Sequence, residues 1–399
     1  MQNLPVNQKN SIRNHPSMMK KIAYAILSAS PFLASHGALV LGQSAMLPPQ
    51  GLNLTQFNVA AKNAIGSLTR MPAWTTGWDW DQGTGLYGIW KYYEATGDAE
   101  SLKELVTWFD RAIPRGVTKH VNSMAAITAL VETYNITRNP SYLPVIEDWG
   151  SWAMYNLTRT PDGGWQHLTT EPHPGEMWID TLMMAALPLA KIGVLTDKPE
   201  YRQEAIFQFR NHVKWIFDSA NDLFFHAYTF NDNNNFGAIH WARGNAWGLI
   251  AAVELPEYLG LPDTDPDAVY FRSILTRQLA ALADLQDPSG LWRTVLDRPI
   301  SEGSYLETSA AAGFVFSYLK AQRLGYIGSE YGPFVHKGLK AVLSQIAPDG
   351  LVRNVSGGTG VGQDAQHYYD KPRLQTMWGQ SLAISALSEA IQLYGGSNC

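Results

Sequence analysis

Past residue 52, hydrophobic and polar positions fall into twelve segments of helical period, at about 53–66, 84–97, 101–113, 122–136, 140–157, 179–194, 199–218, 245–259, 266–286, 306–323, 330–347 and 376–394. In most of them apolar residues recur at i, i+3 and i+4, as Leu102, Leu105, Val106 and Phe109 do in the third. The even-numbered segments are small and nearly uncharged, as in S-M-A-A-I-T-A-L-V of the fourth and S-A-A-A-G-F-V-F-S-Y-L of the tenth. A helix that is apolar almost all round is buried on all sides. The odd-numbered segments carry charge, as in Tyr201-Arg202-Gln203-Glu204 and at Lys337 and Lys340. This alternation predicts six helical hairpins in two concentric rings, an all-α (α/α)6 barrel.

A second repeat runs through the first. Four odd segments are followed by a turn and a short extended run: P-D-G-G-W-Q-H (161–167), A-N-D-L-F-F-H (220–226), D-P-S-G-L-W-R (287–293) and P-D-G-L-V-R (348–353). Turn residues followed by an apolar run are a local hairpin signal. Their return at intervals of roughly 60 residues marks a repeated unit. Short β-ribbons are therefore expected on one rim. Each odd helix runs out and each even helix runs back, so the even helices all start on that rim. The topology gathers Trp80, Asn122, Asp180, Arg243, Thr308 and Trp378 there, and the ribbons add His167 and His226.

Composition fits one large domain. Of 399 residues, 45% are hydrophobic and 16% charged, as a globular chain with a large core requires. A net charge of −5 without a basic run argues against nucleic acid as a partner. It also means that an anionic substrate must be held by local cations. The only cysteine is Cys399, so no intramolecular disulfide forms. Met18-Met19-Lys20-Lys21, the apolar stretch Ile22 to Leu33 and the small residues at Ser35–Ala38 have the pattern of a signal peptide. The expected organisation is an extension and signal over 1–37, a linker over 38–51 and a catalytic domain over 52–399, in a secreted monomer that does not span a membrane once the signal is removed. Four N-x-S/T sequons, at Asn53, Asn135, Asn156 and Asn354, agree with secretion and with glycosylation.

Candidate chemistry centres on A-I-H-W-A-R-G-N-A-W-G (238–248), which sets Trp241, Arg243 and Trp247 at a helix start. Aromatic faces stack on sugar rings and a planar guanidinium binds a carboxylate through two parallel hydrogen bonds, so the stretch fits an acidic carbohydrate. A tryptophan-rich helix start that simply packs into a core would read the same way. Asp180, in E-M-W-I-D-T-L-M-M, precedes an apolar helix. It is either an ordinary N-cap or a general acid desolvated by Trp178, Ile179 and Met183. The helix dipole would lower its pKa, but full burial can raise a carboxyl by about 3–5 units, enough to win. Glu171, Glu176, Asp162, Asp222 and Asp232 are available as a second carboxylate, and spacing selects none. His167, His173, His226 and His240 lack metal-ligand spacing, and no phosphate-binding or dinucleotide motif occurs, so neither metal nor cofactor is expected.

At these residues the chain resembles glycoside hydrolase family 105, the unsaturated rhamnogalacturonyl hydrolases, and more distantly the unsaturated glucuronyl hydrolases. The resemblance spans about 52–395. It is carried in order by W-D-W-D-Q-G-T-G-L-Y-G-I-W, H-V-N-S-M-A-A-I-T, E-M-W-I-D-T-L-M-M, H-W-A-R-G-N-A-W-G, G-S-Y-L-E-T-S-A-A-A-G-F, S-G-G-T-G-V-G and M-W-G-Q-S. It implies the same (α/α)6 barrel and an oligosaccharide substrate whose non-reducing uronic acid carries a C4=C5 double bond. It further implies Asp180 as general acid and as base for the water, with Trp241, Arg243 and Trp247 as substrate-binding signature. His226 and His167 become pocket histidines, and Trp80 and Trp378 stacking platforms; Trp178, next to Asp180 in the chain, is a further candidate for binding the substrate. A second aspartate common in the family stands here as Asn122, which can orient a water or a hydroxyl but cannot act as a base. An inverting hydrolase or epimerase on the same toroid, and a non-catalytic sugar-binding toroid, are the competing readings.

Overall fold

A computed structural model describes residues 47–396, so the signal segment and Cys399 lie outside the described residues. Twelve principal helices alternate outward and inward. The outer ring is α1 (Leu54–Thr69), α3 (Ala99–Ala112), α5 (Tyr142–Tyr155), α7 (Pro199–Ile216), α9 (Pro266–Asp284) and α11 (Gly332–Ser344). The inner ring is α2 (Trp80–Thr96), α4 (Ile127–Thr137), α6 (Leu187–Leu195), α8 (Ala242–Tyr258), α10 (Thr308–Arg323) and α12 (Met377–Gly395). Each inner helix packs on the next, and α12 packs back on α2, so the ring closes. The alternation has the cause read from the sequence. Every residue of α8 from Ala242 to Pro256 is buried, whereas α3 buries one stripe: Ser101, Leu105, Trp108, Phe109 and Ala112.

Small residues let the inner backbones approach. A Cβ on Gly88 of α2 would stand 2.9 Å from the Ser381 backbone of α12, closer than any real Cβ contact. Fully burying one Leu, Ile or Phe contributes about 1.5–3 kcal/mol, and most of the aliphatic and aromatic residues of the inner ring are fully buried.

Three helix starts depart from the periodicity. The second segment begins at Trp80, ahead of its apolar run, because Asp79 and Gln82 close a capping box around its first turn. The fourth splits into a short helix, Val121–Met124, and α4. The sixth opens with a π-helical turn, Leu182–Ala186, just after Asp180. Pro188 explains it: proline has no N–H to donate and its ring crowds the carbonyl four residues back, so the turn before it widens.

Eight two- or three-residue strands pair as β1 (Glu176–Trp178) with β4 (Ala227–Thr229), β2 (Phe217–Asp218) with β3 (Leu223–Phe224), β5 (Trp292–Arg293) with β6 (Leu306–Glu307), and β7 (Val355–Ser356) with β8 (Arg373–Leu374), all antiparallel. They lie in the connections that lead to the inner helix starts, as the ribbons were expected to do.

Candidate active site

Backbone pairing assembles the site. In the β1–β4 ribbon Trp178 sits opposite Ala227, and the Ile179 amide donates to the His226 carbonyl at 3.0 Å. This register sets Asp180, just beyond β1, beside His226, just before β4. The His226 amide donates to the Ile239 carbonyl (3.1 Å) and the His167 amide to that of Glu176 (2.8 Å). Two further segments thereby deliver Trp241 and His167 to the same place.

Asp180 Oδ2 and His226 Nε2 are 3.3 Å apart. Both atoms are buried and neither has a hydrogen-bond partner elsewhere, so they face each other across a loose contact. Resting catalytic hydrogen bonds are commonly long in this way and tighten with substrate. The Asp180 side chain is 15% exposed, and Oδ2 takes no part in that exposure, so the open part of the group is not the oxygen that faces His226. The helix start beside it has no side-chain cap bond, so Asp180 is not serving as an N-cap.

The expected direction of the Asp180 pKa is corrected. Burial pushes it up, but the hydrogen bond from His226, the charges that His226 and His167 acquire at the acid pH where a carboxyl titrates, and the charge of Arg243 outweigh burial and hold it below the ordinary carboxylate value. The Asp180 carboxyl is ionised at neutral pH. His226 is pushed down by burial, against the pull of Asp180. His167 is pushed down to about 3 by burial despite Asp180, and its Nδ1 pairs with the Thr181 hydroxyl at 2.9 Å. Both imidazoles are therefore neutral near neutral pH.

The aromatic groups form one continuous wall. His167 stacks on Trp178 at 4.3 Å and 10°, Trp178 meets His226 edge-on at 5.6 Å, and His226 lies against Trp241 at 4.3 Å. The Arg243 guanidinium lies over Trp241 (4.6 Å) and Trp378 (5.5 Å), and Trp378 stacks on Trp80 at 4.4 Å. Trp80, Trp378 and Asn122 are partly open at the rim, while His167, Trp178, His226, Trp241 and Arg243 are buried behind it.

Two expected binding residues are placed differently. Trp247 is fully buried in the main core, one turn below Arg243, and reaches no open surface. Arg243 is buried and its fork is occupied. Nη1 donates to the Ser356 carbonyl (3.0 Å) and also meets the Ser356 hydroxyl; Nη2 donates to the Gly357 carbonyl (2.8 Å) and to Thr359 Oγ1 (3.2 Å). Arg243 thus pins the 356–359 segment across the rim, with only Nε unpartnered. Its charge is still felt at Asp180.

Two residues had no clear signal in the sequence. Glu307 is a buried carboxylate that accepts from the Ser309 and Ala310 amides at the start of α10 and from the Ser356 amide at 3.0 Å. Tyr368, in H-Y-Y after the glycine-rich stretch, lies within 2.8 Å of His226 Nδ1. His240 lies away from Asp180 and bridges Asp218 (3.2 Å) and Asp297 (3.0 Å). Among the described residues no three His, Cys, Asp or Glu side chains gather as metal ligands.

Comparison with known proteins bears on the family and the fold. The family model described as Glycosyl Hydrolase Family 88 matches residues 59–394. The unsaturated rhamnogalacturonyl hydrolase YesR of Bacillus subtilis is 33% identical over 322 residues, covering 79% of this chain and 90% of YesR. A crystal structure of a possible member of the GH105 family from Salmonella enterica is 38% identical with a TM-score of 0.83, covering 87% of this chain and 96% of that one. The unsaturated glucuronyl hydrolase from Bacillus sp. GL1 shares the fold, with a TM-score of 0.65 at 19% identity over 84% of this chain and 96% of that one. The family match along nearly the whole barrel, on a chain whose inner ring closes on itself, identifies it as a glycoside hydrolase of family 88.

Proposed function

We propose that the enzyme releases a non-reducing 4,5-unsaturated uronic acid from oligosaccharides by protonating and hydrating its double bond. The observation that carries this reading is the place of Asp180: its Oδ2 lies 3.3 Å from His226 beside the histidine–tryptophan wall, while part of the side chain stays open. Glu307 is spent on amides of α10 and Ser356, and Glu176 accepts from the Trp178 indole at 2.7 Å. Asn122 cannot take a proton. Ordinary glycoside hydrolysis uses a pair of carboxyls. A vinyl ether needs one acid, because adding a proton at C4 generates the electrophilic C5 that water attacks.

The ionised resting state of Asp180 fits this order of events. The incoming sugar brings its own carboxylate into a buried site, and a like charge nearby favours the neutral acid. Asp180 takes a proton from solvent as substrate binds and delivers it to C4. Water adds at C5 and gives its proton back to the Asp180 carboxylate. The resulting hemiketal opens and expels the rest of the chain. The aromatic wall from Trp80 to His167 supplies a stacking face and excludes water.

The test offers the enzyme lyase-generated unsaturated oligosaccharides beside their saturated counterparts. The ultraviolet absorbance of the double bond should disappear while the saturated sugars stay intact. Cleavage of both at similar rates would assign an ordinary two-carboxylate hydrolase instead. The signal pattern and sequons support a further proposal, a secreted, glycosylated monomer. Fractionation of the producing culture and size-exclusion chromatography test it.

A further inference from the structure

Tyr368 connects the catalytic pair to the loop over the rim. It sits on the short helix Gln366–Tyr369, is buried, and packs with Ile239, Trp241 and Val295 in a small cluster separate from the main core. Its hydroxyl accepts from the Gly362 amide at 3.2 Å and lies 2.8 Å from Nδ1 of His226. Gly362 must be glycine for this approach, since a Cβ there would stand 2.4 Å from the His367 ring.

The Gly362 amide fixes one of the two hydrogen bonds, and the cost of a buried phenol proton without an acceptor orients the other. The Gly362 amide can only donate, so the phenol oxygen is its acceptor. The phenol proton then has His226 Nδ1 as its acceptor. A buried hydroxyl left without an acceptor loses its bond to water and gains nothing in return. Nδ1 is therefore a lone-pair site, and the imidazole proton resides on Nε2, facing Asp180 Oδ2. The opposite tautomer would set a lone pair against an ionised carboxylate at 3.3 Å. The rings of Trp178 and Trp241 hold the imidazole in this plane from two sides.

We propose that Tyr368 is a positioning residue, whose hydroxyl fixes His226 as the Nε2–H tautomer and thereby holds one oxygen of Asp180 while the remainder of the carboxyl faces the substrate. The inference rests on the proposed role of Asp180 for its consequence in turnover, but not for the tautomer itself. The same hydroxyl ties the 357–362 segment, pinned at its other end by Arg243, to the proton network of the acid.

The experiment uses the full-length enzyme labelled with ¹⁵N-histidine, with the His226 signals assigned from a His226→Gln variant. In the resting wild type at neutral pH, His226 should show a single Nε2–H tautomer. Tyr368→Phe keeps the ring and removes the hydroxyl. It should leave the far-ultraviolet spectrum unchanged, destroy the tautomer preference, and lower kcat about tenfold with KM within about twofold. Tyr369→Phe, at a neighbouring hydroxyl that has no partner, should change neither. A wild-type His226 that is Nδ1–H or doubly protonated overturns the proposal. So does a Tyr368→Phe variant with the wild-type tautomer or the wild-type kcat. A wild type that leaves unsaturated substrates untouched would defeat the proposed function alone, because the nitrogen signals report the tautomer without turnover.

Discussion

The two ends of the inner ring handle buried charge in opposite ways. At the rim, one carboxyl keeps a loose partner and an open side. At the far end, charges close on one another. Every inner helix contributes there: Lys91 from α2, Glu132 from α4, Lys191 from α6, Glu254 from α8, Lys320 and Arg323 from α10 and Glu389 from α12. Glu254 lies 2.8 Å from Lys91, 3.3 Å from Lys320 and 2.8 Å from the Tyr87 hydroxyl, and all four side chains are buried. Lys191 pairs with Glu132, and Arg323 with Glu389. Burial opposes the Glu254 charge, but Lys320 and Lys91 more than offset it and hold the carboxyl well below its ordinary value. Asp180 is also depressed by cationic and imidazole neighbours against burial, yet it retains an approach for a ligand. Burial and charge act at both ends; what separates a plug from a site is whether the partners leave one face of the group free.

The larger effect on turnover is expected at the rim. Asp180→Asn keeps size and polarity and removes the proton, so kcat should fall by roughly 10²–10⁴-fold, the contribution of a general acid. Thermal melting should stay close to wild type, because no cap bond depends on Asp180. Turnover within about tenfold of wild type would remove Asp180 from the acid role.

The mirror-image substitution is at the plug. Glu254→Gln removes the buried carboxylate that Lys91 and Lys320 share and leaves each with one partly exposed partner, Glu94 and Glu257. Breaking one partner out of a buried ion pair costs about 3–5 kcal/mol. Denaturant unfolding should show a loss of that size, while kcat of the folded fraction is unchanged. A loss below about 1 kcal/mol would mean that water screens the cluster as it does a surface pair.

A smaller effect sharpens the distinction. On the proposed mechanism Asp180 must be protonated to work, and its resting pKa is depressed, so kcat/KM should decline from low pH upward. In the complex the sugar carboxylate raises the same pKa, so kcat should persist to higher pH than kcat/KM. If the two profiles fall together, or kcat falls first, substrate does not tune the acid.

Much of the toroid was legible because burial imposes a pattern on each helix separately. The small, apolar even segments could only be an inner ring, and the turn-plus-strand repeat marked the rim. The plug was not legible. The inner segments read as nearly uncharged, yet Lys91, Glu254, Lys320 and Glu389 lie eleven or twelve residues beyond Trp80, Ala242, Thr308 and Met377, where the helices begin. A single charge in an apolar run looks incidental until six helices bring theirs to one depth. At the rim, Asp180 could be singled out by its place before an apolar helix. The direction of its pKa could not, because His226 reaches it through strand register and Arg243 through the closing of the ring. Arg243 had the right chemistry for a carboxylate, but the fork is occupied by backbone carbonyls of a loop more than a hundred residues further along the chain. Trp247 shared a motif with Trp241 but, one turn further down α8, belongs to the core.

The role proposed for Asp180 fixes where the proton goes. Wild-type enzyme turning over an unsaturated disaccharide in deuterated water should place one deuterium at C4 of the released uronic acid, in a single configuration, at early turnover. A product with only hydrogen at C4, or with deuterium in both configurations from the outset, would contradict delivery of a proton to that carbon from Asp180 on one face of the sugar.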